Sequence, residues 1–400
     1  MNFFIIHKRV AYKAVLWTLL SPGLVCAASA EVDKLVAANS IFALNLMQVA
    51  AQSQPGENIF ISPYSVSSAL QTLSAGAAGE TKAELQHTLG TESMSDEELN
   101  TAIQALDTQL TGREGMVLDL ADSFWYRSRL QLRPAFIESI HQRAKVELMR
   151  ADFDQQAGAK LINDWVFQKA RGNITGQYKP SPVDFRVINV AYFKGKWQSP
   201  FEKQATLPRD FHLGYWRSKQ VPMMFQGEQF DYQQTTEFQA VKLPYIGGLE
   251  MELYLPQKNS NPQKLIANIA RGQNWRKSVQ MGFVRQKVLV YVPKFTIEYQ
   301  ADLSNGLLQK LGINMALDIG ANYSLITSNT YAIEVKQMAR IVVDEDGTEA
   351  FAVTTVNPIH ALDDTPPPVP VIILDRPFFF VISDKQTGNI LFMGIVSDPR

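Results

Sequence analysis

Residues 331–343 form the clearest alternation in the chain, with Ile333, Val335, Gln337, Ala339, Ile341 and Val343 on one face and Glu334, Lys336, Met338 and Arg340 on the other. A period of two marks a strand with one face turned to a core. Directly beyond it runs Glu345-Asp346-Gly347-Thr348-Glu349-Ala350-Phe351-Ala352-Val353-Thr354, where every even-numbered side chain from Thr348 is small. The odd positions, Glu349, Phe351 and Val353, are larger or charged. Such a stretch can enter a sheet with its small face against a packed interior. Yet Pro358 and Pro366-Pro367-Pro368-Val369-Pro370 follow, and proline belongs to edges and loops because it lacks a ladder donor. A segment that reads as both strand and loop points to a stretch that changes state, and function is sought there.

With 46% hydrophobic and 19% charged residues over 400 positions, the chain can bury a large core. Its formal net charge of −1 lacks the basic footprint that nucleic acid requires, so no such partner is expected. The beginning differs from the rest. His7, Lys8, Arg9 and Lys13 precede an apolar run, Ala14 to Val25, and then Ala28-Ser29-Ala30, the pattern of a secretory signal cleaved after Ala30. Ser21-Pro22-Gly23 interrupts that run, which falls short of the roughly 20 residues that span a bilayer, so a membrane anchor is the weaker reading. Lipid attachment at Cys26 is weaker still, behind the bulky Val25. Cleavage would remove Cys26, the only cysteine, leaving residues 31–400 as an exported protein, extracellular or periplasmic, without disulfides.

The apolar spacing of Leu35, Phe42, Leu46 and Val49 predicts a helix over 31–50. Ser62-Pro63 supplies an N-cap and a first-turn proline for a second helix that ends at Gly76–Gly79, and Thr81–Leu89 reads as a third. Strands are expected at 116–127 and, nearly continuous and therefore central, at 187–193. Residues 133–171 read as mainly helical. Strands dominate 220–300, at Ala240–Leu243, Leu249–Leu255 and Val288–Val292, followed by a helix over Leu303–Leu311 that stops at Gly312. The last strands are Val371–Leu374, Phe378–Ser383 and Ile390–Val396. This is a mixed α+β chain.

No constellation for catalysis is present: there is no His-Glu-x-x-His, no Gly-x-Ser-x-Gly and no cysteine pair. Of His7, His87, His141, His212 and His360, no two have helical metal-ligand spacing, so neither metal nor cofactor is expected. Gly76–Lys82 lacks the Gly-Lys-Ser/Thr ending of a phosphate loop and follows a helix, not a strand. Arg143, Lys145 and Arg150 surround Glu147 and read as a solvated face. Asn173-Ile174-Thr175 and Asn322-Tyr323-Ser324 match glycan sequons, which matter only in a host that glycosylates exported chains.

Glu345-Asp346-Gly347-Thr348-Glu349-Ala350 resembles the hinge of the serpins, the large family of serine protease inhibitors, and the likeness continues along the chain in order. Asn58-Ile59-Phe60-Ile61-Ser62-Pro63 with Ser65, Gly76-Ala77, Gly79, Thr81 and Asn163-Asp164-Trp165-Val166 match family motifs. So do Asn189, Tyr192-Phe193-Lys194-Gly195, Trp197, Pro200-Phe201, Val292-Pro293-Lys294-Phe295, Arg376-Pro377-Phe378 and Leu391-Phe392-Met393-Gly394. The resemblance implies a single serpin domain over 31–400, with three β-sheets, about nine helices and an exposed reactive loop at about 345–374. It implies an inhibitor rather than an enzyme, monomeric, whose partner is a serine protease held in a covalent complex. The protease attacks the loop and forms an acyl-enzyme, and the severed loop then inserts into the main sheet.

Counting seventeen from the hinge glutamate, Glu345, the resemblance places the reactive bond at Ala361–Leu362, flanked by Ile359 and His360; cutting after Leu362 is the alternative register. A small residue before the cut suits elastase-like or subtilisin-like enzymes, Leu362 would suit chymotrypsin-like ones, and the absence of Lys and Arg from 345 to 375 argues against trypsin-like ones. Glu345, Gly347, Thr348, Glu349, Ala350 and Ala352 form the implied hinge. Ser62, Ser65 and Asn189 match the family's shutter cluster, whose histidine position falls on Gln337, a group that donates and accepts but does not titrate. Trp197 matches the breach at the top of the sheet. The rival implied by the family is a non-inhibitory carrier; Phe351 and Val353 are bulkier than usual for an inhibitory hinge, but both fall on the outward face.

Overall fold

The computed structural model describes residues 22–141, 146–214, 216–271, 279–328, 332–347 and 368–400. Its helices are α1 Pro22–Ser53, α2 Pro63–Gly76, α3 Gly79–Leu89, α4 Asp96–Leu110, α5 Pro134–His141, α6 Gln156–Lys169, α7 Pro262–Arg271 and the short α8 Leu308–Lys310. The strands are β1 Ile59–Ile61, β2 Met116–Tyr126, β3 Val146–Arg150, β4 Phe185–Gly195, β5 Leu207–Gly214, β6 Arg217–Gln234 and β7 Phe238–Pro244. They continue with β8 Leu249–Pro256, β9 Val284–Pro293, β10 Phe295–Asp302, β11 Ile333–Val343, β12 Val371–Ile373, β13 Phe378–Asp384 and β14 Ile390–Val396.

The five-stranded sheet runs β10-β11-β4-β2-β3. At its centre β11 and β4 are parallel, while the strands outside them, β10 and β2, pair antiparallel to their neighbours. The core face of β11 carries the expected alternation: Ile333, Val335, Gln337, Ala339, Ile341 and Val343 are all buried. Met338, expected on the polar face, is buried too, because α6 covers that side and closes a second cluster with Trp125, Phe153, Ile188 and Val190.

Instead of the expected three sheets, the remaining strands form one nine-stranded ladder, β1-β14-β13-β8-β7-β6-β9-β12, with β5 on β6. The reason is β6. Its 18 residues pair first with β5, then with β9, and through Asp231–Gln234 with β7, which joins the second and third sheets into one.

The large core fills the space between the two ladders and the inner faces of α1 and α2. In α1, Leu35, Phe42, Leu46 and Ala50 are buried at helical spacing. Among the described residues α1 contains the one stretch long and apolar enough to cross a membrane, Ala30–Ser53, and much of it is buried in the fold. The helix runs unbroken through the expected cleavage point after Ala30, and its buried face includes Val32, just beyond that point.

Local details differ from expectation. Residues 133–171 carry the helices α5 and α6 as expected, but β3 lies between them and pairs in parallel with β2. The helix expected over Leu303–Leu311 breaks at Asn305 and Gly306, the latter at φ 109°, leaving a wide turn followed by α8. Within the expected loop span of 345–374, residues 371–373 form β12, paired in parallel with β9.

Candidate functional site: a seam and its hinge

The parallel pair β4–β11 runs in register from Phe185↔Ile333 to Phe193↔Ile341. Midway along it, Asn189 and Gln337 are direct partners, and both are buried. Gln337 Nε2 donates to Asn189 Oδ1 at 2.8 Å and to the Ser62 carbonyl at 3.0 Å, while its Oε1 accepts from Ser62 N at 3.0 Å. Ser62 is the N-cap of α2; its Oγ accepts from Ser65 N at 3.3 Å and lies 3.0 Å from Ser65 Oγ and 2.8 Å from the Leu391 carbonyl oxygen of β14. The four expected residues, Ser62, Ser65, Asn189 and Gln337, therefore form one bonded cluster beneath the seam. Gln337 satisfies three partners at once, which a buried amide on an apolar face must do.

A fifth member was missed from sequence. Asp122 of β2 stands opposite Asn189, accepts from its Nδ2, and accepts from Ser68 Oγ of α2 at 2.6 Å. The cluster thus ties β11, β4 and β2 to α2 and its N-cap. Parting β4 from β11 would break the Gln337–Asn189 bond.

At the upper end of the seam the chain leaves β11 through a turn over residues 344–347. Gly347 N donates to the Asp344 carbonyl at 3.3 Å, and Gly347 has φ 75°, a left-handed conformation that glycine tolerates. A Cβ there would lie 2.3 Å from Trp197 N and 2.5 Å from the Gly195 carbonyl oxygen, so backbone contact as well as φ demands glycine. Trp197 is buried under this turn. Its Nε1 donates to the Asp344 carbonyl at 2.9 Å, and its ring stacks on Tyr245 at 4.2 Å. Phe201 N donates to the Glu345 carbonyl at 2.8 Å.

Glu345 itself is clamped: Lys294 Nζ lies 2.7 Å from Oε2, and Thr206 Oγ1 donates to Oε1 at 2.8 Å. Lys203 pairs with Asp346 at 2.6 Å. Burial pushes the Glu345 carboxyl up, but the Lys294 ammonium, the backbone and Thr206 outweigh it and hold the group below its ordinary value of 4.5. Burial raises the neighbouring Asp344 carboxyl. A folded value below the unfolded one contributes stability above the ordinary carboxylate range, and that contribution is lost as pH falls through the lowered value. Glu345→Gln is therefore expected to melt below wild type at neutral pH, with the difference closing below about pH 4. Melting curves of both proteins across pH check this.

Of the remaining expected hinge and bait residues, Thr348, Glu349, Ala350, Ala352, Ile359, His360, Ala361 and Leu362 lie outside the described residues. Glu345, Gly347 and Trp197 come together at the top of the seam, and the Ser62 cluster lies at its middle.

The serpin (serine protease inhibitor) family model matches residues 37–399. The leukocyte elastase inhibitor of Sus scrofa is 30% identical over 385 residues, covering 92% of this chain and 100% of that protein. The corticosteroid-binding globulin of Bos taurus is 33% identical over 375 residues and covers 90% of each. The solved structure of a thermophilic serpin, tengpin, in the native state superposes with a TM-score of 0.83 at 27% identity, over 91% of this chain and 94% of that one. The chain belongs to the serpin family, whose members are mostly protease inhibitors and not enzymes.

Proposed function

We propose that this chain is an exported suicide inhibitor of serine proteases, which traps the acyl-enzyme by inserting its cleaved loop between β4 and β11. One observation carries the reading: two parallel central strands lie side by side, and the chain turns back at the end of one of them toward their shared seam. A returning strand is antiparallel to β11 and, because β4 is parallel to β11, antiparallel to β4 as well. Insertion therefore replaces one parallel ladder with two antiparallel ones, the stronger pairing. The small even-numbered residues from Thr348 to Thr354 suit the core-facing side. Fourteen inserted residues at about 3.3 Å each carry the trapped end roughly 45 Å.

In this reading Ser62, Ser65, Asn189 and Gln337 latch the seam, and Trp197 with Glu345 and Gly347 holds its upper end. Ala361–Leu362 is the reactive bond, between Ile359-His360 and the proline-rich run. The export signal ends at Ala30, and the mature monomer needs no cofactor. Elastase-like or subtilisin-like enzymes are the favoured targets, in keeping with the small side chain at Ala361.

Incubation with one enzyme of each class is expected to give an SDS-resistant conjugate and a released C-terminal peptide. The mass of that peptide fixes the bond: a start at Leu362 supports the assignment, and a start at Asp363 moves it one residue. A second reading, a hormone-type carrier, has specific support in the corticosteroid-binding relative. Clean cleavage with full protease activity retained would favour it, because a carrier needs no trap.

A further inference from the structure

Two dipeptides in the chain set a glycine after an aspartate or asparagine, Asn305-Gly306 and Asp346-Gly347. In such a pair no side chain shields the glycine nitrogen, which can attack the preceding side-chain carbonyl and close a succinimide ring. The two pairs stand in opposite surroundings. At Gly347 a Cβ would lie 2.3 Å from Trp197 N, and Asp346 is ion-paired with Lys203 at 2.6 Å, so the ring has neither room nor a free side chain. At Gly306 no atom of the described residues lies within 4 Å of the Cβ position. Asn305 is exposed, and its carboxamide has no hydrogen-bond partner among the described residues.

The pair sits in the wide turn between β10 and α8. Asn305 has ψ 67°, which points the Gly306 nitrogen away from the Asn305 side chain. Gln309 holds it there. Its Oε1 accepts from Gly306 N at 2.6 Å, and its Nε2 donates to the Ser304 carbonyl at 2.6 Å. One side chain thus pins the peptide groups on both sides of Asn305. Ser304 Oγ in turn accepts from Val335 N at 3.2 Å, close to the start of β11 at Ile333. A reactive bond, the group that restrains it and the lower end of the β4–β11 seam therefore meet in one turn.

We propose that Asn305 is a site of spontaneous deamidation and that Gln309 sets its rate. When the turn opens locally, Gly306 N loses its proton and bonds to Asn305 Cγ. The Cγ–Nδ2 bond breaks, and the side-chain nitrogen leaves with that proton as ammonia. Water then opens the imide at either carbonyl and leaves aspartate or isoaspartate at 305. Either product adds a carboxylate to a turn that already carries Asp302, and isoaspartate also lengthens the backbone by a carbon atom. Through the Ser304–Val335 bond the change reaches the first residues of β11. The chemistry does not depend on the insertion reading. Removing both Gln309 bonds is expected to speed it about tenfold, because each resists the local opening.

Folded wild type, Gln309→Ala and Gln309→Glu held in warm, mildly alkaline buffer test this. The peptide carrying residue 305 is followed by mass and by isoaspartyl methyltransferase labelling, with urea-unfolded wild type giving the unrestrained rate. Folded wild type is expected to react well below that rate and Gln309→Ala about tenfold faster than wild type. Gln309→Glu, which keeps an acceptor for Gly306 N, is expected to fall between them. A rise at Asn305 with the other asparagines unchanged supports local release, whereas a rise at every asparagine is general unfolding and counts against it. Gln309→Ala reacting no faster than wild type would overturn the role of Gln309. No product at 305 in any folded form, while the unfolded chain converts, would overturn the site. Asn305→Asp, which copies one product, is expected to melt below wild type, and equal midpoints would refute the link to β11.

Discussion

Arginine in place of Thr348 is expected to leave the bait cleavable and abolish the SDS-resistant conjugate. In the proposed insertion, a strand that continues the turn at Gly347 back along β11 would bring residue 348 beside Val343, which is 2% exposed on the core-facing side, so its side chain would have to enter the core. A guanidinium there has no designed partner, and burying an unpaired charge costs several kcal/mol. Trapping is a race between insertion and hydrolysis of the acyl-enzyme. A barrier raised by about 4 kcal/mol slows insertion roughly a thousandfold, and the protease then completes its turnover. The observable pattern is a released C-terminal peptide, recovered protease activity and no high-mass band. Thr348→Ser, which keeps the small face, retains the conjugate. Undiminished conjugate from Thr348→Arg would mean that the trap works without insertion at this seam.

The sequence was most legible where one residue type conflicted with its pattern. Gln337 stood out as an amide on an otherwise apolar strand face, and it makes three buried hydrogen bonds. Ser62-Pro63 announced an N-cap, and the cap is present. Asp122 gave no such signal. The run Leu118–Trp125 contains two aspartates, of which Asp119 pairs with the exposed Arg171 while Asp122 is buried against Asn189. Only the β2–β4 register, set by contacts far apart in sequence, separates their roles. The clamp of Lys294 and Thr206 on Glu345 was hidden for the same reason. The strand Val146–Arg150 was lost differently: Glu147, Leu148, Met149 and Arg150 are good helix formers, and pairing with β2 overrides that preference. Arg186 lay just outside the strand expected at 187–193, and its burial over the rings of Phe153 and Tyr178 exists only in three dimensions.

Cutting the bait is expected to raise the melting temperature of the protein by tens of degrees, the largest effect predicted for it. In the closed sheet, β4 and β11 share one parallel ladder of nine register pairs. Insertion gives each of them a full antiparallel neighbour, and about a dozen loop residues gain bonds on both sides. At about 0.5–1.5 kcal/mol net per hydrogen bond, the gain is on the order of 10 kcal/mol after part of it is offset by ordering the loop. At roughly 2 °C per kcal/mol for a large domain, that amounts to about 20 °C or more. On the proposed reading, the Gln337–Asn189 bond and the Lys294–Glu345 ion pair would keep the uncut molecule from relaxing first. On the proposed reading, a gain held before the protease arrives would be available to distort the enzyme once the ester forms. A heat or urea melt before and after limited proteolysis reads the stored energy directly, and equal midpoints would leave the trap with nothing to drive it.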